Sequence, residues 1–155
     1  EILGSLILKE EGFIVPETFH VKTRINNVNA LMIFQEDVRK ELLERNSRRE
    51  GPIFEGDESI MWEPFFIADQ SLSRVTNKNW FLKGPSSRKI TLKAFLMLQQ
   101  AYLESRQSKY GYDTTLLRIS SANSEDLDKY LTSMIIMNGM HGLSLNNRKF
   151  YFFFI

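Results

Sequence analysis

The chain has 155 residues and a formal net charge of +1, with 43% hydrophobic and 25% charged residues, values that are ordinary for a globular domain. It contains no cysteine, which excludes disulfides, thiolate metal sites and cysteine nucleophiles. A net charge this small does not argue by itself for nucleic-acid binding.

The start of the chain and its hydropathy bear on where the protein is found. No signal peptide is recognisable, and no apolar run approaches the roughly 20 residues that span a bilayer. We therefore expect a soluble intracellular protein, in the cytoplasm or the nucleus, with no membrane partner. Because the sequence begins at Glu1 rather than at methionine, we also expect residues 1–155 to form a single domain excised from a longer chain.

The first third of the chain predicts a strand followed by a helix. Residues 3–8 are apolar and fit either a strand or one buried helical turn. Residues 18–25 alternate between apolar and basic side chains, which predicts a half-buried strand with a basic outer face. The pair Asn26-Asn27 indicates a turn, and Asn29 is then expected to cap a helix over residues 30–46. Its inward stripe would be Leu31, Phe34, Val38 and Leu42.

The middle of the chain is less regular. Residues 60–67 form an aromatic strip interrupted by proline, which favours either two short strands or a strand and a turn at a sheet edge. Residues 72–75 and 80–82 are predicted to pair as a hairpin, and residues 83–89 to form an exposed basic loop. Thr91 is expected to cap the clearest amphipathic helix of the chain, which runs to about Ser108.

The end of the chain predicts a βαββ unit. Residues 115–119 favour a strand, and Asn123 is expected to cap a helix that ends near Gly139. A hairpin across Asn146-Asn147 would follow. In the last residues, 150–155, the side chains that would point to either face of a strand are all apolar. This is typical of an interior strand buried on both faces. The predicted fold class is therefore α+β, with a mixed or mostly antiparallel sheet and about three helices.

One acidic stretch raises the possibility of metal chemistry. Residues 54–59, Phe-Glu-Gly-Asp-Glu-Ser, resemble part of the LAGLIDADG homing-endonuclease signature. That resemblance implies an acidic residue at the end of a helix that holds a divalent metal, although Pro52 interrupts the helix and Glu58 stands where glycine is expected. A metal nuclease of another kind would instead gather two or three carboxylates and a lysine around one cation, and Asp57, Glu58, Glu63 and Asp69 with Lys78 or Lys83 would be the candidates. A metal-dependent nuclease is accordingly the third functional hypothesis.

Other catalytic signatures are missing from the sequence. There is no glycine-rich phosphate loop and no nucleophile elbow, and the two histidines, His20 and His141, are too few for a histidine-rich metal site. We therefore predict no catalytic residues, no metal and no cofactor, and the sequence favours a protein that is not an enzyme.

Basic side chains support a second hypothesis, nucleic-acid binding. They lie in two segments and in a C-terminal hairpin that resembles the wing of a winged-helix module. The first segment also suits the negative end of a helix dipole, which is a structural explanation for its charge. The candidate residues are Arg45, Arg48, Arg49, Lys83, Arg88, Lys89, Arg148 and Lys149.

The leading hypothesis is a non-enzymatic protein-interaction domain, a scaffold or adaptor, of a larger intracellular protein. Its partner surface would be an open sheet edge or the aromatic strip, with Trp62, Phe65 and Phe66 as contacts. We expect the partner to be another protein or another part of the parent chain, with DNA or RNA as the alternative.

Overall fold

A computed structural model of the chain describes residues 2–56, 73–107, 124–143 and 148–153. These residues form an α+β fold with two antiparallel sheets, which confirms the predicted fold class. The chain divides into two compact units, Glu1–Arg48 and Arg49–Ile155. The described residues contain five α-helices rather than about three. The two additional helices lie near residues 3–8, where a strand and a helical turn were both left open, and at residues 78–82, where a turn and a strand were expected.

The first unit is a β-hairpin with a helix on either side of it in sequence. Its elements are α1 (Ile2–Glu10), β1 (Thr18–Ile25), β2 (Val28–Gln35) and α2 (Lys40–Arg45). The two strands pair antiparallel over their full lengths, from Thr18 opposite Gln35 to Ile25 opposite Val28. The buried side chains of this unit are Leu42 and Leu43 of α2. Neither the hairpin nor α1 contributes a buried residue.

The predicted strand over residues 18–25 is confirmed, whereas the predicted helix over residues 30–46 is wrong. Residues 28–35 are strand, and helix is confined to Lys40–Arg45. The reason is the turn: Asn26 and Asn27 both have positive φ, 50° and 64°, which makes a tight primed turn that reverses the chain at once. Asn29 therefore lies in a strand instead of capping a helix.

The second unit is a three-stranded sheet packed against helices. Its elements are β3 (Ile53–Gly56), β4 (Ser73–Val75), α3 (Lys78–Leu82), α4 (Pro85–Gln107), α5 (Ser124–Ile136), a 3₁₀ turn (Met140–Leu143) and β5 (Lys149–Tyr151). The strand order is β4-β3-β5, with both pairings antiparallel. The core forms where the central strand meets α4, between Phe54 and the small or aliphatic side chains Ala94, Leu98 and Ala101.

Two predictions in the middle of the chain are wrong. Trp80 belongs to α3 and not to a strand, and β4 pairs with β3 instead. The expected basic loop is largely the start of α4, because proline at the first helical position loses no hydrogen bond and already has a helical φ. Thr91 consequently lies inside the helix, where its buried hydroxyl donates to the carbonyl of Ser87 at 2.7 Å.

The predicted C-terminal βαββ unit is not confirmed. Its helix is present as α5, with Glu125 and Asp126 in its first turn. The predicted strand over residues 115–119 and the Asn146-Asn147 turn lie outside the described residues, and Leu143, where the next strand was expected to begin, ends a 3₁₀ turn. Among the described strands β5 pairs only with β3, so β3 is the central strand of this sheet and β5 lies beside it.

Candidate functional site

The hairpin of the first unit has one face without a charged side chain. Residues that pair directly across an antiparallel ladder point to the same face. The register therefore places four cross-strand pairs together: Phe19 with Phe34, Val21 with Met32, Thr23 with Ala30, and Ile25 with Val28. We call these eight residues the apolar face. Its two phenylalanine rings stack, with centroids 4.9 Å apart.

Six of the eight residues of the apolar face are exposed to solvent, and Val21 and Thr23 are half-buried. Every residue of β2 is exposed, and Val28 and Phe34 keep 66% and 47% of their surface accessible. Burying a side chain of this size fully is worth about 1.5–3 kcal/mol relative to leaving it in water. Covering the apolar face would therefore stabilise the first unit considerably, because its large side chains would be removed from water.

The opposite face of the hairpin is mixed. It carries the basic side chains His20, Lys22 and Arg24 of β1, which lie across from Ile33, Leu31 and Asn29 of β2. At its open end the hydroxyls of Thr18 and Ser5 are 3.3 Å apart, which brings α1 against the start of β1. The charged side chains of the hairpin are thus all on the face opposite the apolar one.

The base of the hairpin is held by Arg45. Its guanidinium pairs with the carboxylates of Glu36 and Glu17 and donates to the carbonyl of Val15 at 3.3 Å. The half-buried Glu36 also accepts the backbone N–H of Glu17 at 3.0 Å. Burial acts to raise the pKa of Glu36, but the hydrogen bonds from Arg45 and Glu17 and the charge of Arg45 together lower it. Arg45, a predicted nucleic-acid ligand, is therefore engaged in fixing α2 to the strand ends.

Several other predicted nucleic-acid ligands are also paired with protein groups. Lys83 pairs with Glu50 and lies 5.8 Å from the ring of Trp80. Lys149 pairs with Glu55 at 2.9 Å. An ion pair of this kind offsets the charge that phosphate recognition needs.

The remaining basic candidates belong to several different segments of the chain. Arg148 is 5% exposed and donates to the carbonyl of Leu143, so it lies in the interior and not at a wing. Arg88 and Lys89 are exposed near the start of α4, with Arg88 against the ring of Phe81 at 5.7 Å. Arg48 ends the first unit and Arg49 begins the second.

The other predicted site residues are those of the aromatic strip and the candidate metal-binding carboxylates. Trp62, Phe65 and Phe66, together with the carboxylates Asp57, Glu58, Glu63 and Asp69, lie outside the described residues. The part of the LAGLIDADG-like stretch that is described, residues 54–56, belongs to strand β3. The helix that the resemblance implied is therefore wrong at this position.

The described part of the chain offers little for catalysis. It contains no cluster of three or more histidine or carboxylate side chains able to hold a metal ion. A recess beside α4 and β5 is lined by Phe54, Ala94, Met97, Leu98, Phe150, Tyr151 and Phe152. None of these lining residues has a carboxylate, an imidazole or an amine for acid–base chemistry. The hydroxyl of Tyr151 donates to the carbonyl of Arg49.

The apolar face was not among the predicted sites. The signal that would have found it is the Asn26-Asn27 pair, because two asparagines between segments that both alternate are typical of a two-residue hairpin. Residues 28–35 were interpreted as helix, so their side chains were assigned to a buried stripe instead of to a sheet face.

The fold and the exposed hairpin define the class of this chain as an α+β protein with an open apolar surface. No protein-family model, curated protein sequence or solved structure matches it. Among the described helices, none combines the length and the apolar character needed to cross a bilayer.

Proposed function

We propose that this chain is a non-enzymatic protein-interaction domain, a scaffold or adaptor of a larger intracellular protein, and that the apolar face of its hairpin contacts another protein. The observation that carries the proposal is that the four residues β2 contributes to the apolar face are all exposed, namely Val28, Ala30, Met32 and Phe34. Contiguous exposed apolar surface of this kind is typical of interaction sites.

The energetics of the hairpin support the same proposal. A two-stranded hairpin by itself is marginally stable in water, and this one has no described layer over its apolar face. A partner that covers the face would add the burial of several large side chains, at about 25 cal/mol for each Å² removed from water. Binding would then stabilise the element that makes the contact.

The chemistry of the face limits what the partner presents. The face contains no ionisable group, so a charge brought against it would lose water without gaining a counter-ion. The partner surface is accordingly apolar and uncharged. Nucleic acid satisfies this condition poorly, and the ion pairs of Arg45, Lys83 and Lys149 with carboxylates give the nucleic-acid alternative less support than the interaction role.

The test uses the full chain with the photoreactive analogue p-benzoylphenylalanine in place of Phe34, irradiated in cells that express it. A covalent adduct with a protein is expected. It should be lost in the same chain carrying Val28→Lys, which charges the apolar face, and kept with His20→Lys, which charges the opposite face. Adducts that survive Val28→Lys, adducts with nucleic acid alone, or no adduct would refute the proposal.

A further inference from the structure

Within the described residues, the outer edge of β2 shows no charged side chain, no proline and no bulge. Exposed edges are normally blocked by charged side chains, proline, bulges or short length. Strand β2 is eight residues long, Val-Asn-Ala-Leu-Met-Ile-Phe-Gln, and it pairs with β1 in unbroken register. None of the described strands pairs with its other edge.

The edge of β1 is different. Three of its exposed residues, His20, Lys22 and Arg24, are basic or ionisable and lie on the mixed face. Two copies of this edge would bring lysine and arginine side chains close to each other, which is unfavourable. The contrast between a blocked β1 edge and an unblocked β2 edge indicates that only β2 accepts a further strand.

The hydrogen-bonding groups of this edge follow from the turn. In a two-residue hairpin the residues that flank the turn exchange both backbone bonds, and alternate residues repeat the pattern. Val28, Ala30, Met32 and Phe34 therefore bond to β1. The backbone N–H and C=O groups of Asn29, Leu31, Ile33 and Gln35 point outward.

We infer that the strand added to this edge is β2 of a second copy of the chain, paired antiparallel about a two-fold axis at Met32. This register pairs Asn29 with Gln35, Ala30 with Phe34, and Leu31 with Ile33, each across the two copies. Amide lies opposite amide, aliphatic opposite aliphatic, and small opposite large. All four outward residues of each copy then find backbone partners, whereas a register centred on Leu31 leaves Gln35 unpaired.

The absence of charge in β2 identifies the second copy as its partner. A strand that pairs here must match an apolar pattern on one face and an uncharged pattern on the other, and β2 itself meets both conditions. In this register even-numbered residues pair with even-numbered residues, so their side chains point to the same side. The two-fold axis therefore keeps the apolar faces of both copies on one side of the sheet.

The pairing deepens the proposed interaction role and rests on it. One apolar face is about 27 Å long and about 10 Å wide from strand geometry, a footprint of about 270 Å². A stable interface needs about 800 Å² for each partner. The continuous four-stranded sheet of the dimer would present about twice the footprint of one copy, which brings the surface closer to what a specific protein partner needs.

Sedimentation equilibrium of the full chain over a concentration series measures the pairing. We expect a monomer–dimer equilibrium, with a dissociation constant raised about tenfold or more by Ile33→Lys, which places a charge at the β2 edge. The matched control is His20→Lys, since His20 lies directly across from Ile33, and it should change the constant by less than about twofold. A wild-type chain that is monomeric throughout, or a dimer equally sensitive to both changes, would overturn the inference.

Single cysteines report the register, because the chain has none of its own. Across the axis the two copies of Met32 form a non-hydrogen-bonded pair, with Cα atoms about 4.5 Å apart, which a disulfide spans. Oxidised Met32→Cys should therefore become a covalent dimer. Leu31→Cys should not, since its two copies lie on a diagonal of about 7–8 Å. Cross-linking of Leu31→Cys in place of Met32→Cys would overturn the pairing.

The failures of the two proposals are distinguishable. If the chain is monomeric but the Phe34 adduct with another protein depends on Val28, the dimer is wrong and the interaction role stands. If the dimer forms with the expected register but no other protein is cross-linked at Phe34, self-association stands and the wider role is wrong. Val28 lies outside the residues paired between copies, so its substitution tests the apolar face alone.

Discussion

Replacing Asn77 by alanine should destabilise the second unit more than any surface change. The side chain of Asn77 is 8% exposed. Its Oδ1 accepts the backbone N–H of Ile53 at 2.9 Å, and its Nδ2 donates to the carbonyl of Gly51 at 2.7 Å. It thereby ties the start of the central strand to the corner between β4 and α3. The side chain makes no capping bond to α3, so the loss would come from these two bonds.

The magnitude follows from what the substitution leaves behind. Alanine removes both partners, so a backbone N–H and a carbonyl remain in the interior without hydrogen bonds, at a cost of about 1–3 kcal/mol each. The expected loss is about 2–6 kcal/mol, a large part of the roughly 5–15 kcal/mol that stabilises a typical domain. Asn77→Asp keeps the acceptor for Ile53 but brings a carboxylate against the Gly51 carbonyl, so it should not restore stability.

Urea unfolding of the full chain, followed by tryptophan fluorescence, measures this loss. The matched control is Asn79→Ala, which makes the same chemical change at an exposed position of α3 and should shift the free energy of unfolding by less than about 0.5 kcal/mol. If the two variants are equally stable, the two backbone groups do not depend on Asn77 and the reasoning is wrong.

Three further outcomes test other parts of the structure. Because Asn27 has a positive φ of 64°, Asn27→Val should cost about 1–2 kcal/mol and reduce amide-exchange protection in the hairpin, whereas Asn27→Gly should keep it. The pKa of Glu36 is lowered from its ordinary 4.5, so its contribution to stability is present above pH 4.5 and is lost as pH falls through the lowered value. Glu36→Gln should therefore reduce the dependence of the free energy of unfolding on pH in that range. An unchanged pH dependence would contradict the assignment. Phe54→Ala, in the core at 1% exposure, should cost about 3–5 kcal/mol in urea unfolding, while Phe153→Ala, at 53% exposure, should cost less than about 1 kcal/mol; similar losses would refute the assigned core.

The elements that the sequence predicted correctly are those whose signals do not compete. Strand β1 alternates strictly, and its predicted bounds agree with the structure. Helix α5 has an amphipathic face, acidic residues in its first turn and a glycine after its end, and all of these favour the same element. Where several local signals agree, tertiary contacts have little to override.

Strand β2 shows why other elements could not be predicted in the same way. Leu31, Phe34 and Val38 fit a helical stripe, and Ala30, Met32 and Phe34 fit an alternating strand face equally well. Short apolar segments are ambiguous by periodicity alone. The deciding feature is the turn before the segment, where Asn26 and Asn27 at positive φ bring β2 back along β1.

The ion pairs could not be predicted from the local sequence pattern. Lys83 and Glu50 are 33 residues apart in sequence, and the partner of Lys149 is Glu55 on the central strand. From the sequence alone, cationic residues in predicted loops are candidates for phosphate binding. The fold then places carboxylates beside some of them. Local sequence therefore predicted basic segments, and the fold places carboxylates beside three of the eight candidates, Arg45, Lys83 and Lys149.

The apolar face was missed for a related reason, and it suggests how such surfaces are found. Hydrophobic pattern predicts which side chains share a face, but it does not reveal whether this chain covers that face. Charge distribution between paired strands adds the missing information. In this hairpin the basic side chains all lie on β1, while β2 has none at any of its eight positions. Since a strand edge left in water needs protection against association, an unprotected strand beside a protected one indicates which edge is used for binding.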